Sequence, residues 1–288
     1  METTASVSNP SRLRDGMAWI LSFLLCLFLT VLSLLTVLAC TLLSPSFLKK
    51  QVDKSGYTAH VMEDMEDIFV SYGISSDFDE AFFTSVLTEE AVRADIFAEI
   101  ERLYAAGAAG ADYDAFESQL YDKLAINVRE RNLEITESVD QALHYLAQMC
   151  AETYREGVGL PFASYASSAL AAAKTPVLIA MAAMAVLSLF VLGFLFALQK
   201  KNGFFRYGIY AFSGAAVTLT VLALVVLLSG KIEKIGLTGK ALYFLVTGYA
   251  KQAVILLFAA VGVLLAVVLI FALLYGYAIK KAVPPPKH

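Results

Sequence analysis

The chain has 288 residues, of which 58% are hydrophobic, and it carries a formal net charge of −4 at pH 7. Soluble domains contain about 45–50% apolar residues, so this composition indicates a membrane protein. Residues 44–176 contain 23 acidic and 10 basic residues, whereas the rest of the chain contains 3 acidic and 12 basic residues. Because nucleic acids and anionic lipid headgroups are bound by basic surfaces, the acidic segment argues against both as its partners.

Four stretches of the chain carry no charged residue over 24 or more positions. They are residues 16–48, 175–199, 207–230 and 252–279. A helix needs about 20 apolar residues to cross the hydrocarbon of a bilayer, so each stretch is long enough to span it. The sequence therefore predicts an all-α fold, a four-helix transmembrane bundle with a helical extracytoplasmic domain inserted between spans 1 and 2.

Basic residues flank three of these spans and suggest an orientation. Arg12 and Arg14 precede the first span, and Arg206 precedes the third. Basic flanks usually stay in the cytoplasm. The lysines in the loop between the third and fourth spans are an exception, because this orientation places them outside the cytoplasm. We expect a multi-pass protein of the cell membrane with cytoplasmic N- and C-termini.

The positions of the uncharged and charged residues predict nine segments. They are a cytoplasmic N-terminus (1–15), transmembrane helix 1 (16–43), an extracytoplasmic acidic helical domain (44–175), transmembrane helix 2 (176–198), a cytoplasmic loop (199–206), transmembrane helix 3 (207–229), an outer loop with an interfacial helix (230–252), transmembrane helix 4 (253–279) and a cytoplasmic tail (280–288). The interfacial helix is expected around residues 242–246, which are apolar and flanked by lysines.

The end of the first span resembles a processing signal. Residues 37–40, Val-Leu-Ala-Cys, are similar to the lipobox at which bacterial lipoproteins are cleaved and acylated. The apolar run before them is longer than the about 7–15 residues of a signal peptide, so we expect a retained helix.

Cys26, Cys40 and Cys150 are odd in number and are expected as unpaired thiols. The sequence leaves open whether Cys40 is lipidated or paired with Cys150.

Apolar residues in the acidic segment recur at intervals of three and four, which predicts helices. One apolar stripe runs from Phe47 to Tyr72 and stops at Gly73, and further stripes begin near residues 88, 114 and 136. Four or five amphipathic helices over about 110 residues can bury a core of their own. The Ala-rich run 163–175 either continues as one helix past Pro176, or a new helix begins there with Thr175 as its cap.

The sequence contains few candidates for catalytic or metal-binding residues. His60 with Asp64, and Asp140 with His144, are each spaced by four residues, so each pair is a weak candidate for two metal ligands. Neither pair has an evident third ligand, and we expect solvated helix faces instead. The chain contains no nucleophile elbow, Walker A loop, HExxH or dinucleotide-binding glycine pattern. We therefore expect a non-enzymatic protein without a cofactor.

The uncharged spans also limit the function. They contain no Asp, Glu, Lys, Arg or His, the residues on which ion-coupled transporters and intramembrane proteases rely. Small residues spaced by four favour close helix packing. These pairs are Ala211 with Ala215, Gly214 with Thr218, Gly262 with Ala266, and Ala272 with Gly276. We expect them to hold one bundle together, and a homo-oligomeric interface is the alternative.

Two segments of the sequence resemble those of a protein family. They are residues 44–57, which begin Ser-Pro-Ser-Phe-Leu-Lys-Lys and end Ser-Gly-Tyr, and residues 87–96, Leu-Thr-Glu-Glu-Ala-Val-Arg-Ala-Asp-Ile. They resemble uncharacterised four-span membrane proteins of Gram-positive bacteria with a helical outer loop. The resemblance implies a topology and carries no assigned activity.

The expected function follows from this layout. We expect the extracytoplasmic helical bundle to bind a membrane or envelope protein, or another envelope component, as a sensor, scaffold or accessory subunit. The four spans would hold it in the lipid bilayer. The alternative is an oligomeric channel or permease component.

Overall fold

The computed structural model describes residues 10–74, 78–105, 108–160, 163–199, 201–237 and 239–282. Over these residues the chain forms ten α-helices and no strand, which confirms the all-α prediction. The helices are α1 (Pro10–Thr41), α2 (Pro45–Ser55), α3 (Tyr57–Gly73), α4 (Glu80–Val86), α5 (Glu89–Tyr104), α6 (Tyr113–Glu130), α7 (Glu137–Val158), α8 (Ala163–Leu198), α9 (Lys201–Leu228) and α10 (Lys240–Ala282).

Four of these helices are long and apolar enough to cross a membrane, as expected for a multi-pass protein. The candidate spans are Arg14–Thr41, Tyr165–Leu198, Gly203–Leu228 and Lys240–Ile279. They belong to α1, α8, α9 and α10. Many of their large apolar side chains are exposed, for example Phe23, Phe190 and Leu273, which are each more than 60% exposed. Such surfaces are typical of helices that face lipid rather than water.

The described chain divides into two compact units. One consists of Leu42–Ala173 together with Ile235–Tyr249, and we call it the helical unit. The other, the span unit, contains most of the four candidate spans. The predicted extracytoplasmic segment, 44–175, is close to the first part of the helical unit. Residues 235–249, which the sequence assigned to an outer loop, add a second part.

In the span unit, α1 packs against α9. Ala211, Ala215 and Leu219 of α9 recur every four residues and are almost completely buried, so one stripe of α9 faces its neighbours. The small side chains let the backbones approach closely. The Ser22 hydroxyl of α1 donates a buried hydrogen bond to the Tyr207 carbonyl of α9 over 2.9 Å.

The helical unit has a hydrophobic core of its own. Its centre is aromatic: the Phe69 ring of α3 lies 6.1 Å from that of Phe83 in α4 and 6.5 Å from that of Phe116 in α6, measured between ring centroids. Phe69 and Phe83 are fully buried. The Phe116 ring stacks on Tyr154 of α7 with centroids 3.9 Å apart. One connected core therefore joins helices from α3 to α7.

Local signals in the sequence explain where several of these helices begin. The Ser44 hydroxyl accepts a hydrogen bond from the Phe47 amide, and Pro45 occupies the first turn of α2. Asp79 and Asp112 cap α4 and α6 in the same way. Gly56, with a positive φ of 66°, ends α2 and allows α3 to start at the next residue.

The structure decides between the two alternatives for α8 and differs from the sequence expectation at α10. Helix α8 is continuous from Ala163 to Leu198 with Pro176 inside it, so the first of the two alternatives for this segment applies. Helix α10 begins at Lys240, and the segment expected as a separate interfacial helix forms its first turns. Ala241 and Leu245 in those turns are buried in the core of the helical unit.

Candidate functional site

The first histidine proposed as a weak metal ligand, His60, is held by neighbours within the helical unit. Its Nδ1 lies 3.5 Å from Glu63 Oε2, and its ring stacks on Phe244 with centroids 5.2 Å apart. Lys240 Nζ donates to Glu63 Oε2 over 3.2 Å, and this contact, followed by that with His60, keeps the pKa of the Glu63 carboxyl below its usual value. The structure thus pairs His60 with Glu63 rather than with Asp64.

The second pair, Asp140 and His144, lies on one face of α7 as its spacing predicts. His144 Nε2 is 3.9 Å from Asp140 Oδ2. The His144 ring stacks on Tyr121 of α6 with centroids 3.9 Å apart, and the Tyr121 hydroxyl donates to the Asp140 carboxylate. The pair therefore joins α6 to α7. Among the described residues, no group of three His, Cys, Asp or Glu side chains is placed to hold a metal ion.

The cysteines are free thiols. Cys40 is exposed, whereas Cys150 is completely buried in the core of the helical unit. Burial raises the pKa of the Cys150 thiol to about 12, because the charged thiolate would lose its hydration. Cys150 is consequently protonated at neutral pH and unreactive while the unit is folded.

A buried carboxylate, which the sequence did not single out, organises the loop between α5 and α6. Glu99 is only 1% exposed. Its Oε1 accepts hydrogen bonds from the Tyr113 hydroxyl (2.9 Å) and the Ala111 amide (3.0 Å), and its Oε2 accepts one from Arg102. Burial, followed by the hydrogen bond to Glu99, raises the pKa of Tyr113. These contacts fix residues 111–113 to α5 and give both buried oxygens of Glu99 hydrogen-bond donors.

Beside this network lies a cleft with polar and apolar walls, which we call the polar cleft. Its volume is about 340 Å³, and its polar lining residues are Thr88, Asp95, Asp112, Gln119, Lys123 and Tyr154. The Tyr154 hydroxyl donates to Asp95 Oδ2 over 2.6 Å. Burial, with a smaller contribution from this bond, raises the pKa of Tyr154. Because Asp112 also caps α6, both carboxylates already have protein partners.

A second cavity of the helical unit has almost entirely apolar walls, and we call it the apolar cavity. Its volume is about 420 Å³. Its lining includes Leu48 of α2, Leu103 and Tyr104 of α5, Leu170 of α8, and Leu245 and Tyr249 of α10. The Tyr104 hydroxyl donates to the Leu42 carbonyl over 3.0 Å, so this polar atom is already paired. Burial raises the pKa of Tyr104 to about 12. Among the described lining residues, only Tyr104 and Tyr249 carry a polar side-chain group, so the cavity suits an apolar ligand.

No family model matches the chain, and neither the curated proteins nor the solved structures include a significant match.

The structure and the sequence thus point to different sites. The sequence drew attention to His60, Asp64, Asp140 and His144, and the structure places both histidines in contacts that join helices. The cavities are lined instead by Asp95, Tyr104 and Leu245, which lie on separate helices. A faint signal existed for Glu99, since it is a carboxylate within the apolar face formed by Ile96, Ile100 and Leu103.

Proposed function

We propose that the protein is a non-enzymatic membrane protein whose helical unit binds a membrane or envelope partner outside the cytoplasm. The main support for this proposal is that the helical unit has a continuous hydrophobic core of its own. A segment that only linked two spans would not need such a core, whereas a binding domain needs rigid elements to present its surface.

The acidic surface suggests how the partner is recognised. Exposed carboxylates lie on several helices of the unit, for example Asp64, Glu90 and Asp114. The polar cleft adds a concave region with carboxylate, amide, hydroxyl and ammonium groups. We infer that a partner with a basic patch docks on the exposed carboxylates of this acidic surface, since complementary charge accelerates encounter and selects against wrong partners.

Photo-crosslinking in cells tests the partner. A photoreactive amino acid at Gln119, an exposed residue of the polar cleft, is expected to capture a specific partner protein identified by mass spectrometry. The matched control carries the same amino acid at Leu265, which is 50% exposed on α10. Absence of any specific adduct at Gln119 contradicts the proposal. Adducts only between copies of the chain, through Leu265, would favour the oligomeric channel or permease component instead.

The proposed orientation has its own test. In a variant whose three native cysteines are alanine, Ser118→Cys on exposed α6 is expected to react with a membrane-impermeant maleimide in intact cells. Arg14→Cys at the start of α1 should react only after the cells are permeabilised. The physical reason is that the reagent cannot cross the hydrocarbon. The opposite labelling pattern would place the helical unit in the cytoplasm and refute the orientation.

A further inference from the structure

Most residues that line the apolar cavity are close in sequence to the uncharged parts of the candidate spans. Of the eleven described residues that line the cavity, seven belong to the candidate spans of α8 and α10. Leu42, another lining residue, directly follows Thr41, the last residue of the candidate span of α1. The walls of the cavity are therefore built largely from helices that are expected to enter the bilayer.

Helix length places the cavity near the edge of the hydrocarbon. The candidate spans of α8 and α10 contain 34 and 40 residues, or about 51 and 60 Å of helix at 1.5 Å per residue. The hydrocarbon is about 30 Å thick, so both helices extend beyond it. Charged side chains are expelled from hydrocarbon, and Lys174 and Lys251 are the last charged residues before the uncharged parts of α8 and α10.

The cavity lies close to these lysines along both helices. Its lining residues in α8 and α10 precede Lys174 and Lys251 by between one and eight positions. Eight residues correspond to about 12 Å of helix. The cavity is thus within reach of the end of the hydrocarbon, where lipid chains are the most abundant apolar molecules.

We propose that the apolar cavity binds one hydrocarbon chain of a membrane lipid. Its apolar walls would leave the polar groups of a peptide or sugar unpaired, whereas an alkyl chain has none to satisfy. Its volume of about 420 Å³ falls within the roughly 300–1,000 Å³ of small-molecule sites. The inference rests on the membrane placement in the proposed function and names the ligand class of one site in the helical unit.

Lipid photolabelling of the full chain tests the inference. The protein is reconstituted into nanodiscs of a phosphatidylcholine whose acyl chain carries a diazirine, irradiated, and digested for mass spectrometry. Labels are expected at Leu48, Leu103 or Tyr104 in addition to the four spans. Leu103 and Tyr104 are the diagnostic positions, because α5 is not a candidate span and is not expected to be labelled by ordinary contact with the bilayer, whereas Leu48 follows the end of the first candidate span by only seven residues.

A filled cavity provides the matched comparison. Ala166→Trp places an indole in the cavity and is expected to reduce labelling of α2 and α5 at least about fivefold, while labelling of the spans is unchanged. Ala171 is on the same helix, is exposed and does not line the cavity. The Ala171→Trp variant should therefore be photolabelled at α2 and α5 to the same extent as the unchanged protein. Inaccessibility of Cys150 to a thiol reagent shows that each variant is folded.

The outcomes separate this inference from the proposed function. Labelling of the spans without labelling of α2 or α5 in the unchanged protein overturns the lipid site and leaves the partner-binding proposal intact. Equal labelling of α5 in a folded Ala166→Trp variant also overturns it. Failure of the Gln119 crosslinks, with the cavity labelled as expected, would refute the protein partner and support the lipid site.

Discussion

Replacing Phe69 with alanine is expected to lower the free energy of unfolding of the helical unit by about 3–5 kcal/mol. The ring is fully buried and contacts both Phe83 and Phe116, so its removal takes away apolar contact and leaves a cavity that α3, α4 and α6 cannot close. For a unit of this size, we expect the melting temperature to fall by at least about 6 °C.

Cys150 provides the measurement. In a variant with alanine at Cys26 and Cys40, a fluorogenic maleimide reacts only when the buried Cys150 becomes exposed, so its fluorescence reports unfolding of the helical unit. Tyr145→Ala is the control, since Tyr145 is an aromatic residue of α7 that is 65% exposed. Its melting temperature should stay close to that of the unchanged protein. Equal shifts for the two variants would show that Phe69 is not part of a packed core.

Replacing Glu99 with alanine is expected to destabilise the helical unit by at least about 2 kcal/mol, because two donors lose their acceptor. The Tyr113 hydroxyl and the Ala111 amide would each lose their acceptor, and an unsatisfied buried donor costs about 1–3 kcal/mol. Glu99→Gln keeps an acceptor oxygen of nearly the same size and should lose less. The same Cys150 assay measures both variants.

The control for Glu99 is its neighbour Glu101. Glu101 is on the same helix and pairs with Lys49, but its side chain is 61% exposed. An exposed ion pair contributes about 0–1 kcal/mol, so Glu101→Ala should have little effect. If Glu99→Ala proves as mild as Glu101→Ala, the hydrogen bonds of Glu99 do not hold the loop between α5 and α6 in place.

The elements of this fold could be predicted from the sequence because each has a local cause. Uncharged runs show where a helix can enter hydrocarbon, as in residues 207–230, and amphipathic spacing identifies helices such as α3. The single stripe expected from Phe47 to Tyr72 did not predict the division at Gly56, where α2 ends and α3 begins. The continuity of α8 past Pro176 was left open, since proline is compatible with either outcome there.

The sites could not be predicted, because they depend on which helix faces meet. Tyr104 and Leu245 are separated by more than a hundred residues, yet both line the apolar cavity. Nothing in the pattern of residues 240–249 distinguished a helix lying on a membrane surface from one packed on a protein core, since both require one apolar face. His60 and His144 attracted attention for their chemistry, and their aromatic stacking was not visible in the sequence.

Pro176 has a mechanical consequence for α8. Proline has no amide hydrogen, so the carbonyl four residues earlier, that of Ala172, loses its helical donor, and the ring pushes against that turn. The bending stiffness of α8 is therefore lowest about one turn before Pro176, only a few residues beyond Leu170. We expect thermal bending of α8 to concentrate at this turn, because a missing backbone hydrogen bond is a recognised cause of helix kinks.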